Sequence, residues 1–328
     1  MRISVTILAM AISQLVFSQS IDPKKDVKET SLNPKGMAKA PRKVYINSFR
    51  VLYQMIDEAS DTKKGGREVG GDAYKGDATA RLAVGINGVE TSALQNITDQ
   101  FFTRFKNDLT KDGFTIMEAD EIQSIEYFKD YTMVSGPKIN NAQLEGYAMV
   151  SPTGFSYYVK GISKSGKEKK GVKLVDTGYK ISRELDDIIV IDVKIVIPSI
   201  WLKDGVNLAG AAVKGGADLK LSKFSTITYQ SGKDKIAPGP ATSSITILKN
   251  DVPIEGVFTD AKFKSTANKS RVTTPEYANI FIVENTTVSI TNTIDCEQAV
   301  YEKKVLEAIL SYYSICYSNF IKRANGKK

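Results

Sequence analysis

Two stretches of this chain repeat their apolar residues at helical spacing. From Thr91 to Lys111, Leu94, Ile97, Phe101, Phe105 and Leu109 fall three and four residues apart, which places them on one face of a helix. Thr91 is suited to cap its start, and Gly113 sits just past its end. Leu306, Ile309, Leu310, Tyr313, Tyr317 and Phe320 predict a second long helix that begins near Asp295 and closes the chain. Asp120 to Lys129 reads as a shorter helix with Ile122, Ile125 and Phe128 inward.

Elsewhere the period is two. Val44, Ile46 and Phe49 to Val51 open a strand at Lys43, and Phe114 to Met117 follows the first helix as another. Asp187 to Ile197 is the most apolar strand: Ile189, Ile191, Val193, Ile195 and Ile197 share one face. The opposite face mixes Ile188, Val190 and Val196 with Asp192 and Lys194, which predicts a central strand with both faces at least partly covered. Asp192 and Lys194 point to the same side, so an ion pair between them is expected. Further strands are expected at 154–160, 217–229, 244–249, 254–264 and 279–291.

The expected fold is therefore α+β: a mixed sheet covered by helices, a strand-rich second half and a long C-terminal helix. It spans residues 43–325, divisible into an α/β unit at 43–150 and a strand-rich part with the closing helix at 151–325. Residues 21–42, rich in Lys, Asp, Pro and Gly, read as a flexible lead-in. The five glycines between Asp61 and Asp77 read as a disordered loop, and 161–173 as a mobile lysine–glycine loop.

The N-terminal pattern concerns compartment. Met1-Arg2 precedes an apolar run from Ile3 to Phe17 that ends in Ser18-Gln19-Ser20, so residues 1–20 read as a secretory signal. The run falls short of the roughly 20 residues needed to span a bilayer, and no later run approaches that length. The expected location is outside the cytoplasm: the periplasm or the outer-membrane periphery, or secreted. A formal charge of +8, mostly lysine, admits contact with an anionic surface or polymer. The lysines are not interleaved with aromatics in a nucleic-acid-binding motif, and no nucleic acid is expected as a partner.

Composition narrows the chemistry further. There is no histidine, which removes serine–histidine and cysteine–histidine nucleophile pairs and any histidine-ligated zinc. Cys296 and Cys316 both fall in the expected closing helix, where twenty residues separate them by roughly 30 Å. A disulfide needs Cα atoms within about 7 Å, so two buried thiols are expected. Gly161-Ile162-Ser163-Lys164-Ser165-Gly166-Lys167 matches a phosphate-binding loop, but Glu168 replaces the magnesium-binding hydroxyl and no helix start follows. Glu184, Asp186 and Asp187 form the densest acidic cluster and are the candidates for carboxylate-based hydrolysis. Asn96, Asn268 and Asn285 begin N-x-[S/T] triplets that read as coincidences. No catalytic, metal-binding or cofactor-binding residue is assigned, and no cofactor is expected.

Val44-Tyr45-Ile46-Asn47-Ser48-Phe49, then Phe105 to Phe114 with its Asp112-Gly113 turn, then Ile116 to Asp120, resemble the small α/β unit of the CsgG and TolB N-terminal superfamily of envelope proteins. The resemblance covers Lys43 to Phe128, about a quarter of the chain, and the closing helix is similar to theirs. It implies a non-enzymatic envelope protein that assembles with itself or with other envelope proteins, sometimes as an export pore. The lipid-bearing cysteine of the pore-forming members is absent, and no functional position carries over. The leading expectation is thus an exported, non-enzymatic envelope protein acting in assembly or secretion, as a homo-oligomer or through envelope proteins. The alternatives are a carboxylate-based hydrolase of an envelope glycan and a secreted small-ligand binding module.

Overall fold

The computed structural model describes residues 21–63, 78–169, 178–204, 211–232, 242–259, 261–266, 278–283 and 286–326. The leader, the glycine-rich stretch from 64 to 77 and the triplets at Asn268 and Asn285 lie outside the described residues. The elements that build the centre are β1 (Val27–Leu32), β2 (Lys43–Gln54), α1 (Thr91–Lys111), β3 (Thr115–Met117), β4 (Lys138–Asn140), β5 (Tyr147–Ser151), α2 (Gly178–Glu184), β6 (Ile189–Ile197), β7 (Thr226–Ser231), β8 (Thr242–Leu248) and α3 (Gln298–Ala324).

The strands form one eight-stranded sheet in the order β1-β8-β7-β6-β2-β5-β4, with β3 on the first residues of β2. β2 runs parallel to β6 and β3, and the other neighbours are antiparallel, so the sheet is mixed and the fold α+β. Its strands come from both expected parts of the chain, and one apolar core runs from Ile21 to Ala324.

One correction concerns the lead-in. Residues 21–42 carry β1, which pairs with β8 at the sheet edge, and a helical turn, Pro34–Met37, that buries Met37. Glu29 of β1 is held by Arg323 of α3 at 2.9 Å, which ties this segment to the far end of the chain.

Both long helices cover the same sheet face. Leu94, Ile97, Phe101, Phe105 and Leu109 are all buried, as their spacing requires. Phe49 stands between the layers, its ring 4.8 Å from that of Phe101, 4.9 Å from Phe102 and 5.6 Å from Phe105. From α3, Tyr313 meets Phe101 and Phe105, and Phe320 stacks on Tyr229 of β7 at 3.9 Å. Glu90, not Thr91, holds the position before α1 and makes no side-chain cap, whereas Gly113 has the positive φ of 82° that a helix exit favours.

The opposite face is covered over half its length. α2 and two 3-10 turns, Asp120–Ile122 and Glu126–Phe128, bury Tyr45, Ile188 and Val190 under Ile122, Phe128 and Ile181. The expected helix from Asp120 to Lys129 is these two turns, because Ile125 between them is extended. The helical spacing of Ile122 and Phe128 is met by separate turns that bury both residues.

Beyond the sheet, β2 continues as Ile56–Lys63 and β6 as Ile200–Asp204. The first pairs with Ala78–Asn87, which also takes Asn292–Asp295; the second pairs with Ala212–Ala217, which also takes Lys262–Thr266. These two three-stranded layers pack on each other. Gln54 Oε1 accepts the backbone N–H groups of Ser199 and Ile200 at 2.9 and 3.0 Å, which fixes the corner where both strands leave the sheet. Of the expected 217–229 strand, Lys220–Leu221 and β7 remain, separated by a turn at 222–225. Most of 254–264 is not strand, since the strand there starts at Lys262. Among the described residues no helix is long and apolar enough to cross a membrane.

Candidate functional site

The uncovered half of that sheet face holds a groove of about 520 Å³. Its floor follows from strand register. On the parallel pair β2 and β6, Asp192 lies beside Ser48, Lys194 beside Arg50, and Val196 beside Leu52. Leu52 in turn lies beside Met149 of β5. Side chains two residues apart share a face, so the face passes from a polar row through a row of two cations to a row of three apolar residues. Leu52, Met149 and Val196 form a small cluster of their own, separate from the main core.

A β-bulge sets this register. The pairing of β2 with β6 shifts between Ile191 and Asp192, leaving Asn47 as the extra residue. The Asp192 carboxylate accepts the Asn47 amide at 2.9 Å and the Ser48 hydroxyl at 2.7 Å. Asp192 is thus engaged across the strands, and the expected pair with Lys194 is not formed; Lys194 is exposed beside the groove and makes no ion pair among the described residues.

Arg50 is 6% exposed and lines the groove. Its guanidinium lies 3.0 Å from Glu168 Oε2 and over the Tyr157 ring at 5.2 Å. The Glu168 contact is close without hydrogen-bond alignment, and Arg50 Nε is a buried donor with no partner. Glu168 Oε1 accepts the Tyr157 hydroxyl at 2.8 Å and lies 3.4 Å from Lys138 Nζ. Burial pushes the Tyr157 phenol up to about 12, so it remains the donor.

The phosphate-loop match resolves into a hairpin. Gly161–Ile162 pairs with Glu168–Lys169, and the turn closes on itself through Ser163 N–H to Lys167 O, Gly166 N–H to Ser163 O and Lys167 N–H to Ser163 Oγ. Those amide donors are spent inside the turn, and Glu168, the residue that departs from the motif, joins the hairpin to Arg50. Gln143 accepts the Glu168 N–H at 3.0 Å and Asn140 donates to Gly166 O, which fastens the hairpin to the end of β4 and the segment after it. The part of the expected loop from 170 to 173 lies outside the described residues.

The opposite wall is the turn at 222–225. Ser222 N–H donates to Val196 O, and Ser225 Oγ accepts the Val196 N–H at 3.0 Å. Asp251 accepts the Lys223 N–H at 2.8 Å. Lys220 is paired with Asp218 at 2.7 Å and Asp251 at 3.4 Å; burial pulls its ammonium down, but the two carboxylates outweigh it and raise it above its ordinary value. Phe224, 65% exposed, crowns this wall, and Leu144, 43% exposed, stands on the other side.

The acidic candidates lie elsewhere. Glu184, Asp186 and Asp187 occupy the exit of α2 and the turn into β6, at the opposite end of that strand from Val196. Glu184 accepts the Tyr127 N–H at 3.1 Å, and Asp186 and Asp187 carry positive φ values of 56° and 62° that reverse the chain. Cys296 precedes α3 instead of lying within it, and Cys316 is buried in it. Burial pushes their thiols up to about 11 and about 12, which leaves neither as a thiolate at neutral pH. Asn96 lies on α1 and donates to Glu302 at 2.7 Å. Among the described residues no three acidic or cysteine side chains are placed to hold a metal ion.

Sequence reasoning did not single out Arg50, Leu52 or Met149. Their only signal is the mixed outer face of β6, where Asp192 and Lys194 interrupt an apolar row. Compared with protein-family models, curated proteins and solved structures, the chain matches none.

Proposed function

We propose that this chain is an exported, non-enzymatic envelope protein that acts by binding, and that the groove is where it binds. One observation carries the reading: three apolar side chains, Val196, Leu52 and Met149, lie beside two cations between walls fastened to the sheet. Small-molecule sites are concave, about 300–1,000 Å³ in volume, mostly apolar, with a few convergent polar groups. The groove has that form. The candidate hydrolytic residues, in contrast, lie at the other end of β6, where Asp186 and Asp187 reverse the chain and the Glu184 carboxylate accepts the Tyr127 N–H. Export is supported by the composition of residues 1–20, and the envelope by the resemblance of Lys43 to Phe128.

The test is native mass spectrometry of the full chain recovered from its producing cell, compared with Lys194→Trp, which fills the groove from an exposed position. The expected result is a defined small molecule on the wild type that the variant lacks. Equal spectra, with no bound species on either, would sink the reading.

Assembly through the same face is a second reading, carried by the exposed Phe224 and Leu144 on the rim. Light scattering decides it. A defined oligomer that falls to a smaller species on Phe224→Ser supports assembly there, and a mass unchanged by the substitution removes it.

A further inference from the structure

We propose that the groove takes an acyl chain ending in a carboxylate, its head between Arg50 and Lys194 and its tail along Val196, Leu52 and Met149. The inference rests on the binding reading above and names the ligand class.

The charge arrangement points to an anionic head. Arg50 and Lys194 are direct neighbours on parallel strands and point to the same face. Like charges so placed repel each other. Glu168 is shared between Arg50 and Lys138, so that group keeps a net positive charge. Lys220 is met by Asp218 and Asp251 in the wall, and Asp192 is held by Asn47 and Ser48 in the row away from the apolar floor. That leaves Lys194 without an ion partner among the described residues, beside an Arg50 that is nine-tenths buried and shares its one carboxylate with Lys138. A single carboxylate in the groove would meet Lys194 and the field of Arg50, which lines the groove beside it, and charge-assisted hydrogen bonds to a carboxylate are among the strong ones.

The apolar row decides what the head is attached to. Inorganic phosphate would leave the groove above the buried floor of Val196, Leu52 and Met149 unfilled, and a neutral lipid would leave the two cations facing each other. An apolar chain that starts at the cation row runs directly over the floor, because the rows are consecutive on the same face of the strands.

The experiment is isothermal titration of the full-length protein with dodecanoate below its micelle concentration, with dodecyltrimethylammonium and inorganic phosphate as comparisons. Expected is one dodecanoate per chain and no binding of the other two. Each methylene removed from the acid should weaken binding about fourfold. Lys194→Gln, at an exposed position, should weaken it about tenfold or more while the thermal transition is retained. Equal affinity for the anionic and cationic amphiphiles, or unaltered affinity in Lys194→Gln, would overturn the proposal. No dodecanoate binding, with a native ligand still lost in Lys194→Trp, would overturn the ligand class and leave the binding reading standing. Absence of both would overturn the two together.

Discussion

Arg50 and Lys194 stand side by side on the two parallel strands at the centre of the sheet, although they lie 144 positions apart in the chain. The bulge at Asn47 creates this pairing: without the extra residue, Lys194 would face a neighbour one position away and the alternation of β2 would be reversed there.

The first prediction concerns that pair. Replacing Lys194 by Glu converts a repulsion into an attraction with Arg50 and should raise stability by about 0.2–1 kcal/mol. Arg50→Ala should instead cost about 3–5 kcal/mol, because Glu168, whose side chain is fully buried, loses its closest cation. Arg50→Met with Glu168→Leu should recover much of that loss. Urea denaturation checks all three, and a Lys194→Glu variant less stable than wild type would show that the two charges do not interact.

Phe49 is the second case. Its ring meets Phe101, Phe102, Phe105 and Phe155 at the junction of sheet and helices. Phe49→Ala should cost about 3–5 kcal/mol, and Phe49→Leu less, since it leaves a smaller void. Thermal unfolding of the two variants measures the difference.

The acid limb should report on β1. Burial pushes the Glu29 carboxyl up, but Arg323 and the Ser31 hydroxyl outweigh it and leave it below its ordinary value. A carboxyl lowered in the folded state contributes stability that is fully present above its unfolded pKa, about 4.3, and is lost as pH falls through the folded value. Amide exchange in residues 27–32 should therefore accelerate below about pH 4 before the rest of the sheet does, and Glu29→Gln should abolish the difference.

At alkaline pH the tyrosines take over. Burial raises Tyr157 to about 12 and holds Tyr229, Tyr312 and Tyr313 well above the ordinary phenol value. These phenols stay protonated in the folded protein while the unfolded chain ionises near pH 10. Their contribution is complete below that pH and declines as pH rises toward the folded values. Tyrosinate absorbance should thus appear in a cooperative step together with the loss of circular dichroism. A gradual titration with the dichroism intact would contradict this burial.

The two long helices were legible because their apolar spacing repeats over several turns. α1 has the expected bounds, and Ile309, Tyr313, Tyr317 and Phe320 of the expected α3 stripe are buried, with Leu306 and Leu310 partly so. The alternation of β6 was equally readable: Ile189, Ile191, Val193, Ile195 and Ile197 all face the main core. The partners of its other face were not. Asp192 and Lys194 share a side as expected, yet each is placed by a residue of β2, Asp192 by Asn47 and Ser48 and Lys194 by Arg50. A strand's own sequence carries no information on which register its neighbour adopts.

The sequence by itself determined the α+β class, the helices that cover one sheet face and the central position of β6, because periodic burial is a local property of the chain. Tertiary structure alone decided that the segment before Lys43 adds an edge strand, that the near phosphate loop is a hairpin anchored by Glu168, and that half of the second sheet face stays open. Those outcomes depend on hydrogen bonds and charge pairs between residues distant in sequence, and only the packed sheet brings their side chains within a few ångströms.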